Sequence, residues 1–89
     1  MTQLSTSILL GQPGLALRDD PHAASIAFGR RLREVREGMG LSQNMLAERA
    51  RVHPTAIGRI ERGGREPRLT TILRLASALD VEPGALLDI

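Results

Sequence analysis

Apolar side chains recur along most of this chain at helical rather than strand spacing. Phe28, Leu32, Val35 and Met39 stand at i, i+4, i+7 and i+11, which puts them on one face of an α-helix. Asp20-Pro21 supplies its start, a carboxylate to accept from the first free N–H groups and a residue whose fixed φ suits the first turn. Gly38 and Gly40 supply the stop, so the pattern predicts a first helix over about 21–38. Ser42 is the next N-cap, with Met45, Leu46 and Ala50 lining a short helix of about 42–50 before a break at Arg51-Val52. His53 can cap a third helix of about 53–62, with Pro54 at its first position, Ala56, Ile57 and Ile60 as the buried stripe and Gly63-Gly64 as its end. After the loop Arg65-Glu66-Pro67-Arg68, helical spacing returns at Leu69, Ile72, Leu73, Ala76 and Leu79 and runs up to Asp80. Glu82-Pro83 opens a last short helix carrying Ala85, Leu86 and Leu87.

Composition agrees with an all-α fold of five short helices. The 89 residues are 42% hydrophobic and 25% charged, ordinary values for one small soluble domain, and they exclude a multi-domain machine. One Phe is the sole aromatic residue, so the core must be built from Leu, Ile, Val, Ala and Met, and a base-stacking platform for single-stranded nucleic acid is not expected. Residues 1–19 hold Gly11, Pro13 and Gly14 among scattered apolar residues with no sustained period, and read as a disordered tail. That tail either does nothing or folds on a protein partner through Ile8, Leu9 and Leu10. Residues 20–89 form the predicted domain. A core of that size is marginal, and oligomerisation adds to it.

Several chemistries drop out. The chain has no Cys, and its two histidines, His22 and His53, lie far apart, so no metal or cofactor is expected. Paired carboxylates in a cleft-forming context, a Gly-rich phosphate loop and a triad partner for Ser or His are all missing, and an enzyme is not expected. The longest apolar runs, such as Ile8-Leu9-Leu10, are far too short to cross a membrane. The first 17 residues carry no positive side chain, which argues against a secretory signal and for a cytoplasmic protein.

Charge is informative in its distribution. All 12 basic residues are Arg and the net charge is +2. Residues 1–48 carry five Arg against five acids, residues 49–68 six Arg against two Glu, and residues 69–89 one Arg against three acids. The central segment is either a solvated face or a surface that meets a polyanion.

Two short helices joined by a few residues, the second followed by a Gly turn and a basic loop, have the layout of a helix-turn-helix. Ser42-Gln43, Leu46-Ala47, Val52, Ile57, Ile60-Glu61-Arg62-Gly63, Pro67, and the later Leu73, Ala76, Leu79 and Val81 together resemble the lambda-repressor-like (Cro/XRE) helix-turn-helix family. The resemblance runs from about Phe28 to Leu87. It implies a five-helix domain that binds double-stranded DNA, usually as a homodimer on a palindromic operator, and regulates transcription.

The resemblance also implies roles. Gln43, opening the second helix, matches a position that contacts a phosphate and buttresses the reading helix, and free N–H groups at a helix start favour an anion there; otherwise it is a solvent-facing polar residue. Thr55 and Arg59 match base-reading positions four residues apart on the third helix. Arg can donate twice to guanine O6 and N7, and Thr can touch a thymine methyl, whereas a purely surface Arg59 would meet phosphate or a Glu. Pro54 sits at the leading end of that helix, and Gly58 either lets backbone approach the DNA or is simply tolerated, at a cost of about 0.5–1 kcal/mol relative to Ala. For His53, capping and a DNA contact are equal readings. Arg62, Arg65 and Arg68 are expected at phosphates, with at least one of them pointing to solvent instead.

Arg36 and Glu61 match positions that form a buried ion pair in some members; a surface pair within Arg36's own helix is the other reading. Val81, Leu86, Leu87 and Ile89 are expected at a dimer interface, some of them packing within the chain instead. Arg51 stands where the family has Gly with positive φ, so either the turn differs or Arg51 reaches a phosphate, at a backbone cost of about 1–3 kcal/mol. Asp80 is a milder departure of the same kind. In function, a small repressor is the first expectation. An antitoxin that binds a toxin through the tail and its own promoter through the domain is the alternative, and a restriction–modification controller has the same size and fold.

Overall fold

Three proline-led starts and three side-chain caps fix where the helices begin. Asp20 Oδ1 accepts from the backbone N–H groups of His22 at 3.0 Å and Ala23 at 3.1 Å. Ser42 Oγ accepts from Met45 N–H, and His53 Nδ1 from Thr55 N–H, both at 3.1 Å; each satisfies a donor that has no partner inside its helix. The resulting elements are α1 (Pro21–Gly38), α2 (Gln43–Ala50), α3 (Pro54–Glu61), α4 (Leu69–Ala78) and α5 (Pro83–Leu86). This computed structural model describes residues 20–89, without a strand among them; the tail predicted at 1–19 lies outside the described residues.

Four of these helices stop in the same way. After α3, Gly63 N–H donates to Ile60 O and Gly64 N–H to Arg59 O, both at 3.0 Å, with Gly63 at φ +75. This paired closure needs one left-handed residue just past the helix. Gly40 fills that place after α1, but Arg51 fills it after α2 at φ 57, ψ 44, and Asp80 fills it after α4 at φ 55. The turn between α2 and α3 therefore has the geometry glycine would give it, held by an arginine.

α1 packs on α3 and α5, α2 on α3 and α4, and α4 on α5. Their shared core holds Phe28, Leu32, Leu41, Leu46, Ile57, Ile60, Leu75, Leu79 and Leu86. α1 lies against the end of α3 without a spacer: a Cβ at Gly29 would run into the backbone oxygens of Ile60 and Glu61, and one at Gly63 would stand 2.7 Å from Ile26 Cγ1.

Some apolar positions fall elsewhere than their spacing predicts. Leu69 and Leu73 are exposed, at 69% and 47%, and Met39 and Met45 are about half exposed. Each sits on the edge of its helix's apolar stripe, where neighbouring elements do not reach. Leu41, in the short loop after Gly40, joins the core instead.

Candidate nucleic-acid interface

α3 has two sides. Ile57 and Ile60 are fully buried, while Pro54, Thr55, Arg59 and Arg62 are exposed. Thr55 and Arg59, four residues apart, form an outward stripe whose side chains have no hydrogen bond or ion pair among the described residues. An unpaired guanidinium beside a hydroxyl presents donors in the arrangement that base edges in a major groove accept.

On the inner side of α3, at its end, lies a polar network. Arg36 donates from Nε to Glu61 Oε2 at 2.6 Å and from Nη2 to Glu61 Oε1 at 3.0 Å, and its Nη1 donates to Leu41 O at 2.7 Å. Both side chains of the pair are buried. Gln43 Nε2 adds a third hydrogen bond to the same carboxylate, to Oε1 at 3.0 Å. The hydrogen bond to Glu61 holds the Arg36 pKa above its ordinary value; burial opposes that rise, and the charges of Glu61 and Glu37 support it. Every buried side-chain polar atom among the described residues has a partner. Arg36 is thus paired across the fold rather than along its own helix, and Gln43 at the start of α2 is tied to the end of α3.

Gly58 needs a correction. It is buried, and a Cβ there would stand 3.0 Å from Arg62 Nη1 and 3.6 Å from Gln43 Oε1. Its missing side chain makes room for those two groups, and its backbone does not lie open to a base edge.

The remaining predicted contacts form an exposed rim. His53 accepts through Nδ1, which leaves Nε2–H as the ring's outward donor. Arg51, Arg62, Arg65 and Arg68 are all exposed. A cavity of about 260 Å³ opens beside α3, with Arg51, His53, Arg65, Thr71 and Arg74 around a floor that includes Val52, Ala56 and Ile60. Thr71 and Arg74 do not stand out in the sequence, where residues 69–89 carry one Arg against three acids. Their i, i+3 spacing, on the edge of α4 away from Ile72, was the available signal.

The expected interface residues separate. Leu86 is fully buried in the core, so it faces the protein's own interior and not a partner. Val81 and Ile89 are partly buried against that core, and Leu87 is half exposed. Leu87 and Ile89 line an apolar groove of about 140 Å³ with Ala24, Phe28, Pro67 and Ile72. No helix among the described residues is long and apolar enough to cross a membrane.

Comparison with known proteins bears on this arrangement directly. The family model described as "Helix-turn-helix" matches residues 32–86, which contain α2, α3 and the turn between them. The chain belongs to the Cro/C1-type helix-turn-helix family. Among curated relatives of this helix-turn-helix protein, control protein C.BamHI of Bacillus amyloliquefaciens is 39% identical over 64 residues, covering 71% of this chain and 79% of the relative. Among solved structures, the restriction-modification controller protein C.AhdI from Aeromonas hydrophila superposes with a TM-score of 0.71 at 47% identity, covering 72% of this chain and 97% of that one. The clp gene regulator ClgR from C. glutamicum gives a TM-score of 0.69 at 30% identity, covering 72% and 83%. This helix-turn-helix protein is a DNA-binding transcriptional regulator.

Proposed function

We propose that this regulator is a homodimer that reads a two-fold symmetric operator with α3 in the major groove and controls restriction–modification genes. The reading of DNA is carried by one observation: the unpaired Thr55–Arg59 stripe lies on a helix whose end is held by the buried Arg36–Glu61–Gln43 network. Thr55 and Arg59, with Pro54 at the leading end, meet base edges. Gln43, Arg51, His53, Arg62, Arg65 and Arg68 hold phosphates and set the register. The restriction–modification assignment is supported by the likeness to C.AhdI, a restriction-modification controller protein, alongside that to control protein C.BamHI. A dimer lying across a promoter represses it by occupying the site of initiation.

For the dimer face, Leu87 and Ile89, which share a groove with Ile72 of α4, offer the apolar surface, with the exposed Leu69 and Leu73 on the same helix as Ile72. Two-fold pairing then places the reading helices about 34 Å apart, one turn of the duplex.

The test is selection of bound duplexes from a random library, followed by binding of the winner across a salt series by wild type and Arg59→Ala. A two-fold symmetric winner, a steep salt slope and relaxed preference at one base pair of each half-site in the variant are expected. No enrichment of any sequence by the wild type would end the reading.

A further inference from the structure

The cavity beside α3 is lined by cations and contains no acid to balance them. Arg51, Arg65 and Arg74 all border it, and none of the three makes an ion pair or side-chain hydrogen bond among the described residues. Glu66, next to Arg65 in sequence, lines the apolar groove on the other side of Pro67. Three like charges around one opening repel each other until an anion enters. The groups on offer suit an oxyanion: planar guanidinium forks, the Thr71 hydroxyl and the Nε2–H of His53, whose Nδ1 is already occupied by Thr55 N–H.

Two further features narrow the ligand. The floor of Val52, Ala56 and Ile60 is apolar, which suits a carbon body beside the charged group. A volume of about 260 Å³ is also far larger than a single water needs, so there is room for a sugar beside the anion. The cavity's position has a meaning of its own. On the α3 wheel, Ala56 lies on one flank of the Thr55–Arg59 stripe, while Gly58, covered by Gln43 and Arg62, lies on the other. One flank thus carries Gln43 and Arg62, and the other carries this cavity.

We propose that the cavity is a phosphate-ester socket in which Arg74 and Thr71 of α4, outside the helix-turn-helix, hold the anion together with Arg51, His53 and Arg65. Its ligand is a sugar-phosphate unit, drawn either from the backbone of the strand opposite the one met by Gln43 or from a free phosphorylated molecule. As a DNA contact it rests on the reading that α3 enters the groove; as an anion site it stands apart from that reading.

The experiment compares full-length wild type, Arg74→Gln and, as a control, Arg30→Gln on exposed α1, after thermal melts establish that all three fold alike. One arm measures duplex binding across a salt series on the selected operator and on an unrelated duplex. The other titrates each protein with deoxyribose 5-phosphate at low salt and follows backbone amide resonances. If the backbone is the source, Arg74→Gln weakens both duplexes several-fold and makes the salt slope shallower by about one, while Arg30→Gln does neither. If a free molecule is the source, amides at Arg51, Thr71 and Arg74 move with the sugar phosphate in wild type and not in Arg74→Gln, and the duplex slopes agree. The proposal is overturned if the variant matches wild type in both arms. Should wild type bind no duplex, the DNA reading fails, and the sugar-phosphate arm still decides the socket.

Discussion

Around Glu61 the chain is held by directed polar contacts, and around Leu86 by packing. Glu61 accepts three hydrogen bonds from Arg36 and Gln43, which ties α1, α2 and α3 at one point. Leu86 sits fully buried among apolar neighbours, and to the packing of α5 on α1 is added one hydrogen bond, from Arg31 Nε to Ala85 O at 2.7 Å. Hydrogen bonds have preferred directions, whereas burial of apolar area has none. The first construction fixes the angle at which side chains leave the surface, which the α3 end needs if Thr55 and Arg59 are to meet base edges. The second supplies bulk stability and leaves Leu87 exposed.

Removing one partner of the polar construction should have the largest effect. Arg36→Ala leaves Glu61 buried without its cation, at a cost of about 3–5 kcal/mol, and urea titration should show duplex binding lost in step with folding. A variant that melts like wild type would erase the distinction between the two ends. The raised Arg36 pKa gives the sign of the pH effect. Its stabilising contribution is complete below the ordinary arginine range and fades only above it, so stability measured between pH 7 and pH 10 should carry no loss from this pair.

At the packed end, neighbours in sequence should behave differently. Leu86→Ala opens a cavity and should cost about 2–5 kcal/mol. Leu87→Ala should shift the melt by no more than about 0.5 kcal/mol, and weaken self-association in sedimentation instead. Equal losses of stability in the two variants would show that Leu87 belongs to the core.

Smaller effects sharpen the contrast on the outward face. Arg59→Ala should fold and melt as wild type yet lose about 1–3 kcal/mol of discrimination at one base pair, read by competition between the operator and its single-base variants. Arg51→Gly should raise stability by about 1 kcal/mol, because the left-handed strain it relieves outweighs the freedom that glycine gives the unfolded chain. The same change should weaken duplex binding if the guanidinium holds a phosphate.

The helices were legible because their signals are local. Asp20-Pro21, Ser42, His53-Pro54 and Gly63 each act within a few residues, and the observed bounds fall within a residue or two of the predicted ones. The left-handed turn at Arg51 was one of two readings, and the backbone adopts it. What the spacing could not convey was which edge of a stripe meets another element. Leu69 and Leu73 repeat at helical spacing and yet face out, while Leu41 has no helix at all and is buried. Leu86 and Leu87 are alike as residues, and only the packing of α5 on α1 and α4 sends one in and the other out. Gly58 failed for a related reason: its neighbours Gln43 and Arg62 come from another helix and from the helix end, and no local pattern announces them. The rim of Thr71 and Arg74 is assembled from α4 against the α2–α3 turn, a distance in sequence that composition counts do not bridge.

The placement of the network on the inner side of α3, with Thr55 and Arg59 on the outer side, has an evolutionary consequence. The side chains that hold the reading helix in place are not the ones that project from it, so substitutions at the outward positions leave folding untouched. With the operator read by Thr55 and Arg59 as proposed, operator preference and stability are separable traits in this protein. A duplicated copy can acquire a new operator through changes at two or three codons without passing through an unfolded ancestor.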